Sequence, residues 1–135
     1  MIYALDTNII IRILRNESPV RQNFNDAVIQ GHSIVIPKIV DYEIKRGFRV
    51  FYAPNKELAY SVLTGEGICD IVEIDNNSWE IAELVYDNLY RKGHTIGELD
   101  ILIAAICLCH DYILVTNNTR HFKEVEGLSI EDWIT

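Results

Sequence analysis

Cysteine is scarce and badly placed for cross-linking or for zinc. Cys69 stands alone, and Cys107 and Cys109 lie two apart on an expected helix, so they point to different sides. An odd count of three excludes a fully paired disulfide scaffold, and all three read as buried small hydrophobes in a reducing compartment. No long apolar run is present either. The most apolar stretch, Ile101 to Cys109, is far shorter than the roughly 20 residues that span a bilayer. No basic, apolar leader precedes Asp6, so a cytoplasmic location without membrane association is expected. There is no repeat, low-complexity tract or linker, and 135 residues are expected to form one domain over 1–135.

Positive charge is also in short supply, with 12 basic against 20 acidic residues and a net charge of −8. That balance alone argues against a nucleic-acid partner. Its distribution argues otherwise. Between Thr7 and Lys56 eight bases face four acids, whereas from Glu57 onward four bases face fifteen acids. One basic face on an acidic protein would explain this, as would solvated helix faces with no partner.

What is present is a regular alternation of strand-like and helix-like segments. Met1 to Leu5 is an apolar run of strand length, followed by a buried-helix pattern over Ile9 to Leu14. Ser18-Pro19 reads as a cap and N1 proline opening a helix to about Gln30. Ser33 to Pro37 is a strand whose proline opens a helix to about Phe51, and Pro54-Asn55 starts another to about Gly65. Cys69 to Ile74 is a third strand. Asn76 to Lys92 is a helix with Trp79, Ala82, Val85, Tyr86 and Leu89 at helical spacing. A helix from Gly97 to Asp111 precedes the strand Tyr112 to Val115, and a short strand near Leu128 to Ile130 closes the chain. The expected class is α/β, with a mostly parallel sheet of four to five strands covered by helices on both faces.

The acids divide by setting. Asp6 ends the first strand, where open α/β sheets place their chemistry, but an Asp there also caps a helix. Glu98 has capping-box spacing from Thr95. Asp100 shares its helical face with Ile96, Ile103, Ala104 and Cys107, and an ionised carboxylate there costs several kcal/mol unless it is paired or holds a metal. A salt bridge would satisfy it; a ligand role fits better. Val40, Ile44 and Phe48 or Phe51 mark the core stripe of the preceding segment, with Glu43 at its edge and Asp41 directed further toward solvent. Glu43 alone would be an ordinary surface acid pairing with Lys45 or Arg46, and it becomes a candidate only through its company. Thr116-Asn117-Asn118-Thr119-Arg120-His121 is a polar run after the last long strand, either in the same crevice or an Asn-rich turn. Three acids at strand ends and helix starts form an oxygen-rich set suited to Mg²⁺ or Mn²⁺ rather than zinc. Phosphodiester hydrolysis is the chemistry such a set serves.

Leu5-Asp6-Thr7-Asn8, Glu43-Ile44 with Gly47, Ile96-Gly97-Glu98-Leu99-Asp100 through Ala105, Val115-Thr116-Asn117-Asn118 through Phe122, and Gly127-Leu128 with Glu131-Asp132-Trp133 together resemble the PIN-domain family. More closely, they are similar to the VapC toxins of type II toxin–antitoxin systems. The likeness spans essentially the whole chain, in order. It implies a PIN-like three-layer sandwich and a magnesium-dependent endoribonuclease cutting single-stranded or loop RNA, often tRNA, to leave a 5′ phosphate. It also implies inhibition by a VapB-type antitoxin, and a homodimer. Carried over by position, Asp6, Glu43 and Asp100 match the family's acidic site, with Asp6 and Asp100 binding the cation and Glu43 completing its shell or acting as base. Where relatives often carry a further acid, this chain has Asn117, Asn118 and His121. One cation is therefore expected, with Asn118 or His121 helping through water, or His121 binding the phosphate. Asn8 and Thr116 would support the site, and Lys45, Arg46, Arg49 and Arg12 would hold the RNA backbone. A partner arginine could fill the acidic crevice. Two alternatives stand beside this: a catalytically degenerate RNA- or protein-binding module, and a phosphoacceptor domain. The second wants an acidic pair after the first strand and a Lys ending the last, and this chain has neither.

Overall fold

A computed structural model describes residues 1–135. The elements run β1 (Ile2–Leu5), α1 (Thr7–Leu14), α2 (Val20–Ile29), β2 (Ser33–Pro37), α3 (Lys38–Val50), α4 (Pro54–Gly65), β3 (Cys69–Val72), α5 (Asn76–Arg91), α6 (Glu98–His110), β4 (Ile113–Val115), α7 (Thr119–Phe122) and β5 (Ile130–Glu131). The five strands form one sheet in the order β3-β2-β1-β4-β5, and every pairing is parallel. Tyr3, Ala4 and Leu5 of β1 and Ile34, Val35 and Ile36 of β2 are all buried. Successive strand residues face opposite sides, so both faces of the sheet centre are covered, as an all-parallel sheet requires.

The helices supply that cover through apolar stripes. Ile9, Ile10 and Ile13 of α1, Val40 and Ile44 of α3, and Ile101, Ile103, Ala104 and Ala105 of α6 are buried in one core. Each large side chain among them contributes about 1.5–3 kcal/mol by leaving water.

From β1 the chain winds outward through β2 to β3, then returns to place β4 on the other side of β1 and β5 beyond it. The order therefore reverses between β1 and β4. Open parallel sheets form their ligand crevice at such a reversal, outside the carboxyl ends of the strands. Asp6 follows β1 and Thr116 follows β4 at this point, and the Leu5–Val115 register extends to an Asp6 N–H···O=C Val115 bond of 3.0 Å.

Several local expectations are corrected. Asp41 is buried, not solvent-directed: its carboxylate accepts the Tyr60 hydroxyl at 2.8 Å and lies 3.3 Å from both Lys38 and Lys45. The carboxylate lies between α3 and α4, where these three partners offset its desolvation. Thr95 and Glu98 make no capping box. Gly97 takes the N-cap position of α6 without a side-chain bond, and Glu98 is the first helical residue. Pro19 is the N-cap of α2, one position before the N1 site expected. Trp79 and Tyr86 of α5 stay about half exposed, because α5 buries only the stripe of Ser78, Ala82, Val85 and Leu89. Phe48 packs against the core, whereas Phe51 is exposed beyond the end of α3. Cys69 and Cys107 are buried as expected, but Cys109 is only partly so.

Candidate active site

Asp6 is held from three directions. Its φ of −80° and ψ of 162° are extended, so it ends β1 and caps α1 at once. Its carbonyl accepts the N–H groups of Ile9 and Ile10, and its Oδ1 accepts the Thr7 N–H at 2.8 Å. Oδ2 accepts the Thr116 hydroxyl at 2.7 Å. The cap and the site are thus compatible roles of one residue. Burial pushes the Asp6 carboxyl above its ordinary value, against the lowering by the Thr116 and Thr7 hydrogen bonds.

Glu43 comes from α3, one residue from the core position Ile44. It takes part in no ion pair with Lys45 or Arg46. Instead the Thr7 hydroxyl donates to its Oε1 at 3.0 Å, which draws the middle of α3 to the start of α1. Asp100 sits in the first turn of α6, half-buried above the buried Ile103, Ala104 and Cys107. Its carboxyl is pushed up to about 6, first by burial and then by the negative charges of Asp6 and Glu43, with His121 working in the opposite direction. Asp6, Glu43 and His121 thus all lie within electrostatic reach of Asp100. The Asp6 charge also raises the Cys107 thiol beneath it, although burial does most of that.

The strand-end polar run completes the rim. The Thr116 hydroxyl also accepts the Asn118 N–H at 3.0 Å, and the Asn118 side chain meets Nδ1 of His121 at 3.0 Å. Asn8 reaches Asn117 at 3.4 Å, so the turns after β1 and β4 are joined.

The expected phosphate-binding residues are more scattered. Lys45 pairs with Asp41, and with Arg49 it lines a hollow between α3 and α4 that Glu43 does not line. Arg46 stands 5.0 Å over the Tyr42 ring, and Arg12 pairs with Glu17 at 3.5 Å. Sequence reasoning missed Arg15 and Lys56. Both line an apolar groove that starts at Thr7 and Glu43 and passes over Ile11, Leu14, Phe48 and Phe51. For Arg15 a signal existed, since Thr7, Ile11 and Arg15 follow one another at helical spacing on α1.

Asp6, Glu43 and Asp100 offer only oxygen donors, and the charges of the first two act on the third. None of the ion pairs in the structure involves Asp6, Glu43 or Asp100, so these carboxylates have no lysine or arginine paired with them, and only His121 acts against their charge. Such a set repels itself, and the raised Asp100 carboxyl reflects burial first and that repulsion second. Oxygen donors alone suit Mg²⁺ or Mn²⁺.

Residues 3–128 match the family model described as PIN domain. The chain belongs to the PIN-domain family. It is 33% identical over 133 residues to the tRNA(fMet)-specific endonuclease VapC of Shigella flexneri, covering 97% of each chain. It is 30% identical over 134 residues to ribonuclease VapC2 of Rickettsia felis, covering 98% of each. Among solved structures, this PIN domain is similar to a chain of VapBC2 from Rickettsia felis bound to a promoter DNA fragment, with a TM-score of 0.88 and 26% identity over 98% of this chain and 99% of that one. A chain of DNA-bound VapBC from Salmonella typhimurium gives 0.83 and 29% over 98% of each. The expected PIN-like sandwich is therefore the fold, and VapC proteins are its relatives.

Proposed function

We propose that this PIN domain is a cation-dependent endoribonuclease, the toxin of a type II toxin–antitoxin pair, acting in the cytoplasm as one unit over residues 1–135. The observation that carries the reading is the coupling of Asp100 to Asp6 and Glu43 beside the β1/β4 reversal, with no lysine or arginine paired to any of the three. The kinship with VapC ribonucleases supports it, and transfer RNA is the substrate to assay first because the Shigella relative is named for one.

On this reading Asp6 and Asp100 hold Mg²⁺ or Mn²⁺, and Glu43 completes the shell or takes the proton of the attacking water. The cation supplies charge neutralisation and Lewis-acid polarisation at the phosphodiester. Thr116 fixes the Asp6 carboxylate, and Thr7 fixes Glu43, so neither acid must be ordered when RNA arrives. Water oxygen joins phosphorus, the 3′ oxygen leaves, and the product carries a 5′ phosphate. Asn8, Asn118 and His121 line the rim, where His121 contacts the phosphate. Arg46, Arg49, Lys45 and Arg12 contribute a diffuse field, and Arg15 lines the groove that begins at Thr7 and Glu43.

A VapB-type antitoxin is the inhibitory partner we assign, and a homodimer the expected assembly. The apolar groove beside Glu43 suits a hydrophobic antitoxin segment whose arginine reaches the carboxylates. No helix is long and apolar enough to cross a membrane. The test is cleavage of tRNA by the purified chain with Mg²⁺ or Mn²⁺ against EDTA. Metal-dependent cleavage lost in Asp6→Asn and Asp100→Asn supports the reading. Binding of RNA without cleavage under any metal would assign the degenerate module instead.

A further inference from the structure

We propose a second metal site, built from Asp75, Cys109 and His110, that takes a thiophilic divalent ion of the zinc type and clips the start of α5 to the end of α6. Asp75 is the N-cap of α5, and Cys109 and His110 form the last turn of α6. Their donor atoms, one oxygen, one sulfur and one nitrogen, all lie within 4.8 Å of one another. Nε2 of His110 is 2.9 Å from Oδ2 of Asp75, and Sγ of Cys109 is 3.9 Å from Oδ1.

Those separations lie near what zinc needs. Bonds of about 2.0–2.1 Å to nitrogen or oxygen and about 2.3 Å to sulfur, at tetrahedral angles, set donors roughly 3.3–3.6 Å apart. The two observed edges run to different oxygens of Asp75 and lie on either side of that span, and every donor pair is within 4.8 Å, so side-chain rotations bring one oxygen, the sulfur and the nitrogen to bonding distance. Asp75 is already oriented: its Oδ1 accepts the Ser78 N–H at 2.8 Å, which leaves Oδ2 to face His110. The His110 ring stacks on Tyr112 at 5.5 Å, limiting its rotation. Three protein donors leave a fourth position for water.

This ion differs in kind from the one assigned to Asp6 and Asp100. A mixed sulfur, nitrogen and oxygen set selects zinc-like ions, whereas the all-oxygen set selects hard ones. Thiolate and carboxylate together neutralise the double positive charge, and on binding the Cys109 thiol proton passes to solvent while Nε2 of His110 gives up the proton it shares with Asp75, to solvent or to Nδ1. Ten residues of α6 separate Asp100 from His110, about 15 Å along the axis, so the two sites are distinct.

The experiment is equilibrium dialysis of the untagged chain against micromolar Zn²⁺, in an Asp6→Asn/Asp100→Asn background that silences the carboxylate site. One Zn²⁺ per chain is expected, with affinity falling more than about 100-fold in Cys109→Ser and in His110→Ala, beyond the loss typical of an outer-shell partner. Zn²⁺ should raise Tm in the parent and leave it unchanged in Cys109→Ser. Cleavage of RNA with Mg²⁺ by otherwise unsubstituted Cys109→Ser should match the parent. No Zn²⁺ retained, or retention unaffected by these substitutions, overturns the proposal. Should Cys109→Ser not fold, the Co²⁺ form of the parent decides it: a thiolate-to-cobalt charge-transfer band upholds the site, and its absence overturns it.

Discussion

The Thr116 hydroxyl donates 2.7 Å to Oδ2 of Asp6, bridging the carboxyl ends of two strands that are adjacent in space and 110 positions apart in sequence. The same oxygen accepts the Asn118 N–H, so one side chain both aims the acid and shapes the turn that carries the rim. Replacing Thr116 by Val keeps the shape and removes both bonds. A buried carboxylate oxygen is then left without its donor, at about 1–3 kcal/mol, readable by urea denaturation. Because the lost bond favoured the ionised form, the Asp6 carboxyl moves further up. Cation affinity should drop about 10–100-fold, as for other supports of a metal ligand, with Mg²⁺ titrations of cleavage reporting it.

Asp100→Asn should separate stability from activity. Burial and the charges of Asp6 and Glu43 disfavour an ionised Asp100, so removing its charge relieves the metal-free fold. Its Tm without divalent ions at neutral pH should rise by a few degrees while cleavage falls more than about 100-fold, beyond a merely supporting role. A variant equal to the parent in cleavage would remove Asp100 from the site. Asp6→Asn should lose cleavage too, yet keep its fold, because Asn caps helices as well as Asp does.

How far the site was legible follows from these residues. Asp6 and Asp100 stood out because each placed a charge where an apolar element needed none, at a strand end and on a buried helical face. The parallel sheet was legible in the alternation of strands and helices. Asp41 was misread because its relief comes from Tyr60 on another helix, a contact that no spacing within α3 announces. Glu43 shows the same limit from the other side. Its local charges suggested ion pairs with Lys45 or Arg46, and its actual partner is Thr7, distant by 36 positions. Gly97 displaced the expected Thr95 cap because its backbone, at φ −61° and ψ 151°, ends the extended entry to α6. Spacing rules capture contacts along one helix, and the site is made of contacts between elements.

Stability and cation response should both depend on pH through Asp100. Its carboxyl ordinarily titrates at 3.8 and in the fold at about 6. Between these values the folded chain binds the proton more tightly than the unfolded chain. Stability contributed by this group is therefore present at low pH and lost as pH rises through about 6, and Asp6, also raised, adds in the same direction. Mg²⁺ needs the ionised form, so it should raise Tm little at pH 5 and clearly at pH 7.5. Thermal melts with and without Mg²⁺ at the two pH values check this. Equal Mg²⁺ effects at both would show that Asp100 does not ligate the ion.

The acid Asp41 serves the fold rather than the site. Asp41 is desolvated between α3 and α4, yet Tyr60, Lys38 and Lys45 more than offset burial and hold its carboxyl below the ordinary range. A lowered carboxyl stabilises the fold above its unfolded value and loses that contribution as pH falls through the folded one. Asp41→Ala removes the acceptor for the buried Tyr60 hydroxyl and should cost about 1–3 kcal/mol at pH 7. Both lysines are half-exposed and can turn to water, which keeps the cost below that of a fully buried broken pair. The double variant Asp41→Ala/Tyr60→Phe should recover part of it, since no hydroxyl is then stranded. Cleavage per folded molecule should not change, because Asp41 faces α4 while Glu43 faces Thr7. A selective loss of cleavage in Asp41→Ala, with stability intact, would place this acid in the reaction instead.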